Sequence, residues 1–293
     1  MSDVIADVIL PKRHLLAEAP VWDAANERLI WVDIEAGEVL TGLLEGDAVT
    51  VTGSYKVDDY VGVAVPATDG TLTVAGHTAL WRLWTEGGHY HPMAELLTPD
   101  RRWNDGAVDP DGRLCLGSLT LIGEPEQNLL VRLEHDGSVT YLDEDLSLAN
   151  GMAWSPSGHA MYLADSARGI IWTRDYDPAS GRSEGRSAAF SIDDGVPDGL
   201  CTDTDGNLWV AMWGPGQVRC YTPTGRLVRT VHVPAPQTTS VAFVGPDLDR
   251  LLITTASSGL SGDELAAYPE SGYLFTLADV GAQGIRQLPH DVA

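Results

Sequence analysis

Cysteine and phenylalanine are scarce in this chain, three of each in 293 residues, and basic residues are few. Cys115, Cys201 and Cys220 form no Cys-x-x-Cys pair, which excludes the common thiol–zinc and dithiol redox motifs. An odd number of cysteines suits a reducing compartment, and each lies in an apolar run where a thiol packs as a small core residue. Lys plus Arg number 18 against 42 Asp plus Glu, for a formal net charge of −24. A surface this acidic repels phosphate backbones and anionic lipid, so no nucleic acid and no membrane is expected as partner. No apolar run approaches the ~18 residues of a membrane span. The stretch "MSDVIADVILPKRH" has no basic region leading into an apolar core, so no signal peptide and a cytoplasmic location are expected. Several catalytic signatures are missing as well: no G-x-S-x-G elbow, no H-E-x-x-H helix and no Walker loop. His77, His89 and His91 lie near one strand pair without partner cysteines and read as structural.

Glycine and proline, by contrast, are plentiful: 31 and 17, spread along the whole chain. Such punctuation means many short elements. Helical periodicity is scarce, and the recurring plan is a short apolar run, a turn and another short apolar run. It appears in "EAPVWDAANERLIWVDI", "VGVAVPATDGTLTVAG", "GAVDPDGRLCLGSL", "NGMAWSPSGHAMYLAD", "DGLCTDTDGNLWVAMW" and "SVAFVGPDLDRLLITTA". Alternating apolar residues around Asp-Gly and Ser-Gly turns predict β-hairpins. The residues that open the six copies are Glu18, Val61, Asp105, Asn150, Asp198 and Ser240, and they recur every 42 to 48 residues. That period, built from short strands, predicts an all-β fold, a six-bladed β-propeller with a central channel, occupying residues 1–293 as one domain. Further runs such as "EVLTGLLEG", "ALWRLWTEG" and "QVRCYTPTG" supply the outer strands. "DVIADVIL" reads as a strand that joins the last blade and closes the ring, leaving fewer exposed edges.

In "RRWNDGAVDPDGRL" two turn signals stand close together. "DPDG" makes the hairpin, so "NDG" must mark the entrance of the innermost strand, as do "ANG" at 149–151 and "PDG" at 197–199. Strand entrances from all blades converge on one mouth of the channel. Gly106, Gly151 and Gly199 are expected to let the backbone bend there. Three carboxylates, Glu18, Asp105 and Asp198, would repel one another at that mouth unless a cation sat between them. Glu18 lies in "AEAP", which is no turn sequence. The set is all oxygen, which suits Ca²⁺, Mg²⁺ or Mn²⁺, with Zn²⁺ possible if water completes its shell. The acidic surface would also concentrate cations.

The segments "LLAEAPVWD", "RWNDGAVDPDGRLCLGSL", "ANGMAWSPSGHAMYLADS", "VPDGLCTDTDGNLWVAMWGPGQV" and "GPDLDRLLITTASSGLSGDELAAYPESGYLF" resemble, in order and spacing, the gluconolactonase and regucalcin (senescence marker protein) family. The resemblance runs through nearly the whole chain. It implies a six-bladed propeller with one divalent ion in its channel, hydrolysing a sugar (aldonic acid) lactone. It implies metal ligands at Glu18, Asn150 and Asp198, and substrate-binding residues at Arg102 and Asn104. Asp105 would stand beside water next to the ion. Some members carry a substrate-binding Glu where this chain has "GSL" and then Leu121, and the nearest acid is Glu124.

Lactone hydrolysis needs a polarised carbonyl, an activated water and a stabilised oxyanion. The ion would serve as Lewis acid, Asp198 as general base, and Arg102 with Asn104 would orient the ring. Trp103 and Trp213 are candidates for the pocket wall. Trp31, Trp81, Trp154, Trp172 and Trp209 are expected to pack between blades. Two other readings stand beside this one: an aryl-ester or organophosphate hydrolase on the same scaffold, and a non-catalytic binding propeller.

Overall fold

Each repeat folds because its turn residues satisfy their own backbone. In "DPDG" the Asp109 carboxylate accepts from the amides of Asp111 and Arg113, both at 2.9 Å, and Gly112 takes the left-handed conformation. Asp203 does the same for Asp205 and Asn207, with Gly206 in the left-handed place. These side chains mimic a backbone turn and fix the hairpin register. The computed structural model describes residues 4–123 and 125–292. Glu124 lies outside the described residues.

Six sheets follow in chain order. Blade 1 comprises Ala17–Asp23, Arg28–Asp33, Glu38–Glu45 and Ala48–Lys56. Blade 2 comprises Val63–Pro66, Leu72–Ala75, Ala79–Trp84 and His89–Glu95. Blade 3 is built from Arg101–Val108, Leu114–Thr120, Asn128–Leu133 and Val139–Leu146. Blade 4 has Ala149–Trp154, Ala160–Asp165, Ile170–Tyr176 and Ser183–Ser191. Blade 5 has Val196–Thr202, Leu208–Trp213, Gln217–Tyr221 and Leu227–His232. Blade 6 has Thr238–Val244, Arg250–Thr255 and Leu274–Leu277. Its fourth strand comes from the other end of the chain: Asp7–Leu10 pairs antiparallel with Leu274–Leu277. This is the ring closure expected from "DVIADVIL". Val4–Ile5 continues beyond it and runs parallel to the outer strand of blade 5.

The core lies between blades. Leu29, Trp31 and Leu40 of blade 1 pack against Ala242, Leu252 and Leu274 of blade 6, with Ile9 and Leu10 of the closing strand among them. Trp209 and Phe243 meet edge to face between blades 5 and 6. The indole N–H groups of the buried Trp31 and Trp209 and the half-buried Trp81 and Trp172 donate to His14, Asp203, Asp58 and Asp165, which satisfies the polar handle of each ring. Trp154 also packs between blades, in the cluster shared by blades 3 and 4. His89 and His91 lie against Trp84 on the exposed outer strand of blade 2. Among the described residues there is one α-helix, Gly262–Ala267, started by a Ser261/Glu264 capping box. No helix there is long and apolar enough to cross a membrane.

Candidate functional site

The innermost strands carry register irregularities where the site forms. Pairing with the second strand shifts between Glu18 and Val21, Trp103 and Asp105, Ala149 and Met152, Pro197 and Leu200, and Thr238 and Ser240. A β-bulge bends its strand and re-aims a side chain. Five of the six blades therefore bulge within two residues of the repeated polar position, while the inner strand of blade 2 pairs without a shift.

The glycines after those positions do something other than turn the chain. Gly106, Gly151 and Gly199 have no positive φ, so the expected backbone bend is not their role. Each allows close approach instead. A Cβ on Gly151 would stand 2.3 Å from the Leu200 amide nitrogen and 2.6 Å from the Asp198 carbonyl oxygen. One on Gly199 would stand 2.7 Å from the Ser240 Cα, and one on Gly106 would stand 2.6 Å from the Cys115 carbonyl oxygen. The inner strands of blades 4, 5 and 6 touch backbone to backbone because those side chains are missing.

The result is a cavity of about 260 Å³ on the propeller axis. Glu18, Asn150 and Asp198 line it, together with Arg102, Asn104 and Ser166. All six are more than nine-tenths buried. Asp105 and Ser240 are equally buried and line a smaller void of about 30 Å³ on the same axis. Val61, the blade 2 member of the column, is fully buried in the apolar core and brings no polar group. Trp213 lines the cavity. Trp103 does not: it is 1% exposed and packed in the apolar core of blades 1 to 3. The pleat explains this. Arg102 and Asn104, two residues apart, face the axis, and the indole between them turns outward.

Hydrogen bonds hold the polar set. Arg102 Nη1 donates to Asn104 Oδ1 at 2.8 Å and to the Trp103 carbonyl at 3.0 Å. Asn104 Nδ2 donates to the Ala149 carbonyl at 3.0 Å, tying blade 3 to blade 4. The Arg102 guanidinium also stands 5.8 Å from the centre of the Tyr60 ring, within cation–π reach. Glu18 Oε2 accepts from the Ala19 amide at 2.9 Å, and Asp105 Oδ1 from the Gly106 amide at 2.7 Å. The Asn150 side-chain amide donates to Asp198.

The electrostatics are strained without a cation. Burial, then the charges of Asp198 and Asp105, push the Glu18 carboxyl well above its ordinary range. Burial, then the Asp105 charge, do the same to Asp198. Burial raises Asp105 to about 7. Arg102 is pulled down by burial to about 10, still protonated at neutral pH, and cannot neutralise three acids. Two acceptor atoms are buried with no partner in the protein, Asn150 Oδ1 and Asp198 Oδ1. Orphaned acceptors at this depth call for an ion or a water. Among the described residues no three His, Cys, Asp or Glu side chains form a ready metal cage. An ion here would rest on two carboxylates and an amide, an all-oxygen set that fits a hard divalent cation.

Several lining residues had no place in the sequence-based site: Leu16, Ile34, Leu119, Leu148, Ser166 and Val196. Leu16, Leu148 and Val196 each stand two residues before Glu18, Asn150 and Asp198. Two residues is one full pleat, so they share a face with those polar groups, and that spacing was a usable signal. Leu121 is 39% exposed and is not among the lining residues.

A six-bladed propeller with buried carboxylates, an amide and a guanidinium gathered at its axis defines a class of β-propeller with an axial, cation-fitting pocket. Within that class, the chain belongs to the SMP-30/gluconolactonase/LRE-like family, whose model matches residues 16–257. It is 32% identical to regucalcin of Danio rerio over 296 residues, covering 97% of this chain and 98% of that one. It is 30% identical to the putative sugar lactone lactonase YvrE of Bacillus subtilis, covering 94% and 95%. Its fold superposes on the crystal structure of a calcium-binding protein, regucalcin, from Agrobacterium tumefaciens with a TM-score of 0.91, at 28% identity and 99% coverage of both chains.

Proposed function

We propose that this protein hydrolyses a sugar (aldonic acid) lactone to the free acid, using one divalent ion held by Glu18, Asn150 and Asp198. The observation that carries the reading is the pair of buried, unpartnered acceptors, Asn150 Oδ1 and Asp198 Oδ1, beside two further carboxylates from other blades. When bound, the ion supplies Lewis-acid polarisation of the ester carbonyl. The lactonase and calcium-binding descriptions of its relatives support the same reading.

The protein's own groups do the rest. Arg102 and Asn104, locked to each other and to blade 4, hold the lactone ring in one orientation and so lower the entropic barrier. Asp198 takes a proton from the attacking water as its oxygen bonds to the acyl carbon. The ring C–O bond then breaks, and the proton passes from Asp198 to the departing ring oxygen. The product is the open-chain hydroxy acid, with Asp198 returned to its starting form. Asp105, which lines the adjoining void, would stand beside water next to the ion.

Dialysis against chelator, followed by lactone titration with each of Ca²⁺, Zn²⁺, Mn²⁺ and Mg²⁺ added back, tests this. Activity should vanish with chelation and return with at least one ion. Asp198→Ala should lower turnover by about 10²-fold or more. Full activity in that variant would remove Asp198 from its role. The apolar residues of the cavity favour a second reading, an aryl-ester hydrolase on the same scaffold, and p-nitrophenyl esters in the same assay separate the two.

A further inference from the structure

Ser166 lines the axial cavity, is 3% exposed, and among the described residues its buried Oγ has no hydrogen-bond partner. Its backbone, by contrast, is engaged on both sides. The amide donates to the Leu148 carbonyl at 3.1 Å, and the carbonyl accepts from the Gly169 amide at 3.0 Å. Asp165, the residue before it, is anchored as well. Its carboxylate accepts from the amides of Ser147 and Leu148 at 3.0 and 3.1 Å, and from Trp172 Nε1 at 3.2 Å. These bonds fix Ser166 against Leu148, two residues before Asn150, at the entrance of blade 4. The hydroxyl takes part in none of them. A buried hydroxyl left unpaired destabilises the fold, so a group from outside the chain must complete it.

The chemistry of that group follows from its surroundings. Arg102 Nη1 donates to Asn104 Oδ1, and Asn104 Nδ2 donates to the Ala149 carbonyl. Among the described residues, Arg102 Nε and Nη2 and the second N–H of Asn104 have no partner, and all are donors. In the reading above, the open oxygens of Asn150 and Asp198 belong to the ion. A lactone hydroxyl whose oxygen accepts from Arg102 or Asn104 still has its own proton to place. A serine hydroxyl accepts and donates at once, and Ser166 Oγ is free to take that proton.

We propose that Ser166 is a substrate-binding residue, with its Oγ paired to one ring hydroxyl of the lactone and so selecting the hydroxyl pattern the protein takes. This inference rests on the sugar-lactone reading and adds to it a specificity contact on blade 4, beside Arg102 and Asn104 of blade 3. A site built to pair with a substrate hydroxyl rejects the analogue that lacks it.

Two measurements keep the two claims apart. Calorimetry, with calcium present, measures binding of the lactam analogues of glucono-, galactono- and xylono-1,5-lactone, which resist hydrolysis. The tightest binder is then compared with its single-deoxy forms in the wild type and in Ser166→Ala. One deoxy form should bind the wild type about tenfold or more weakly than its parent. Ser166→Ala should weaken the parent by a similar factor and show no further loss on that one form, the coupling expected of two partners. Its Tm and calcium affinity should hold, because the hydroxyl supports neither the fold nor the ion. Independent losses for every deoxy form, undiminished binding of the parent by Ser166→Ala, a drop in Tm or calcium affinity, or no binding of any lactam overturns the proposal. Acid release from the parent lactone by the wild type is followed separately. If the coupling appears without turnover, Ser166 keeps its role and the hydrolase reading falls. Turnover without the coupling overturns the Ser166 assignment alone.

Discussion

Gly151→Ala should separate the contribution of channel geometry from that of chemistry. The added Cβ would meet the Leu200 amide nitrogen at 2.3 Å, the Asp198 carbonyl oxygen at 2.6 Å and the Gly199 carbonyl carbon at 2.7 Å. All three are backbone atoms, so no side chain can swing away. An ordinary Cβ contact begins at 3.4 Å, so the inner strands of blades 4 and 5 must part by about 1 Å. Overpacking of this kind costs about 1–3 kcal/mol. For a chain of this size that lowers Tm by roughly 2–10 °C, which leaves the protein folded at assay temperature. The same displacement moves Asp198 away from Asn150. A misplacement of about 1 Å in a catalytic array can cost about 10²-fold in rate. Lactone hydrolysis at 25 °C should therefore fall about 10²-fold, far more than the unfolded fraction explains, and calcium affinity should fall with it. Gly262→Ala, with nothing within 4 Å of the added atom, is the control and should keep full activity. Wild-type turnover and calcium affinity in Gly151→Ala would refute the claim that backbone contact between blades sets the site.

Three further outcomes are expected. Burial and mutual charge raise the folded-state pKa values of Glu18, Asp105 and Asp198, Asp105 to about 7. Between the ordinary carboxylate range and those values the folded, cation-free protein holds more protons than the unfolded chain. Its stability should fall as pH rises through that window, by on the order of a few kcal/mol, and calcium or Asp105→Asn should flatten the slope of Tm between pH 5 and 8. A cation-free Tm that climbs over that range contradicts the assignment. Removing residues 1–10 strips Ile9 and Leu10 from the blade 1–blade 6 core and opens the edge of blade 6. Each buried aliphatic side chain is worth about 1.5–3 kcal/mol, so scanning calorimetry should show a Tm loss of roughly 10 °C or aggregation, and an unchanged Tm would show that the closing strand is dispensable. Ser261→Ala removes the helix N-cap, should cost about 1 kcal/mol, and should leave turnover untouched, which a paired Tm and rate measurement checks.

The architecture was legible because its determinants are local. Asp-Gly turns with self-satisfying carboxylates recur in the blades, and the alternation of apolar residues around them needs no knowledge of neighbours. The closing strand was visible for the same reason, as an apolar run free to pair into the last blade, although its first residues, Val4–Ile5, run beside blade 5. The polar column was legible because Glu18 has no turn to make. What escaped depends on contacts between blades. Nothing near Gly151 in the sequence says that Leu200 will lie against it. Arg102 and Asn104 were expected inward and line the cavity; Trp103, one residue from each, lies on the opposite face of the pleat, so it could not share the pocket wall with them. Leu16, Leu148 and Val196 were within reach of the sequence, two residues before the polar position in their repeats. Leu119 and Trp213 sit at the ends of second strands, where only the ring geometry brings them to the axis.

If a divalent ion joins side chains from blades 1, 4 and 5, anomalous diffraction from crystals soaked in calcium or zinc should locate it. One strong peak should stand on the propeller axis, within about 2.0–2.6 Å of oxygens from Glu18, Asn150 and Asp198. No peak at saturating ion, or a peak elsewhere with those three side chains turned apart, would contradict it.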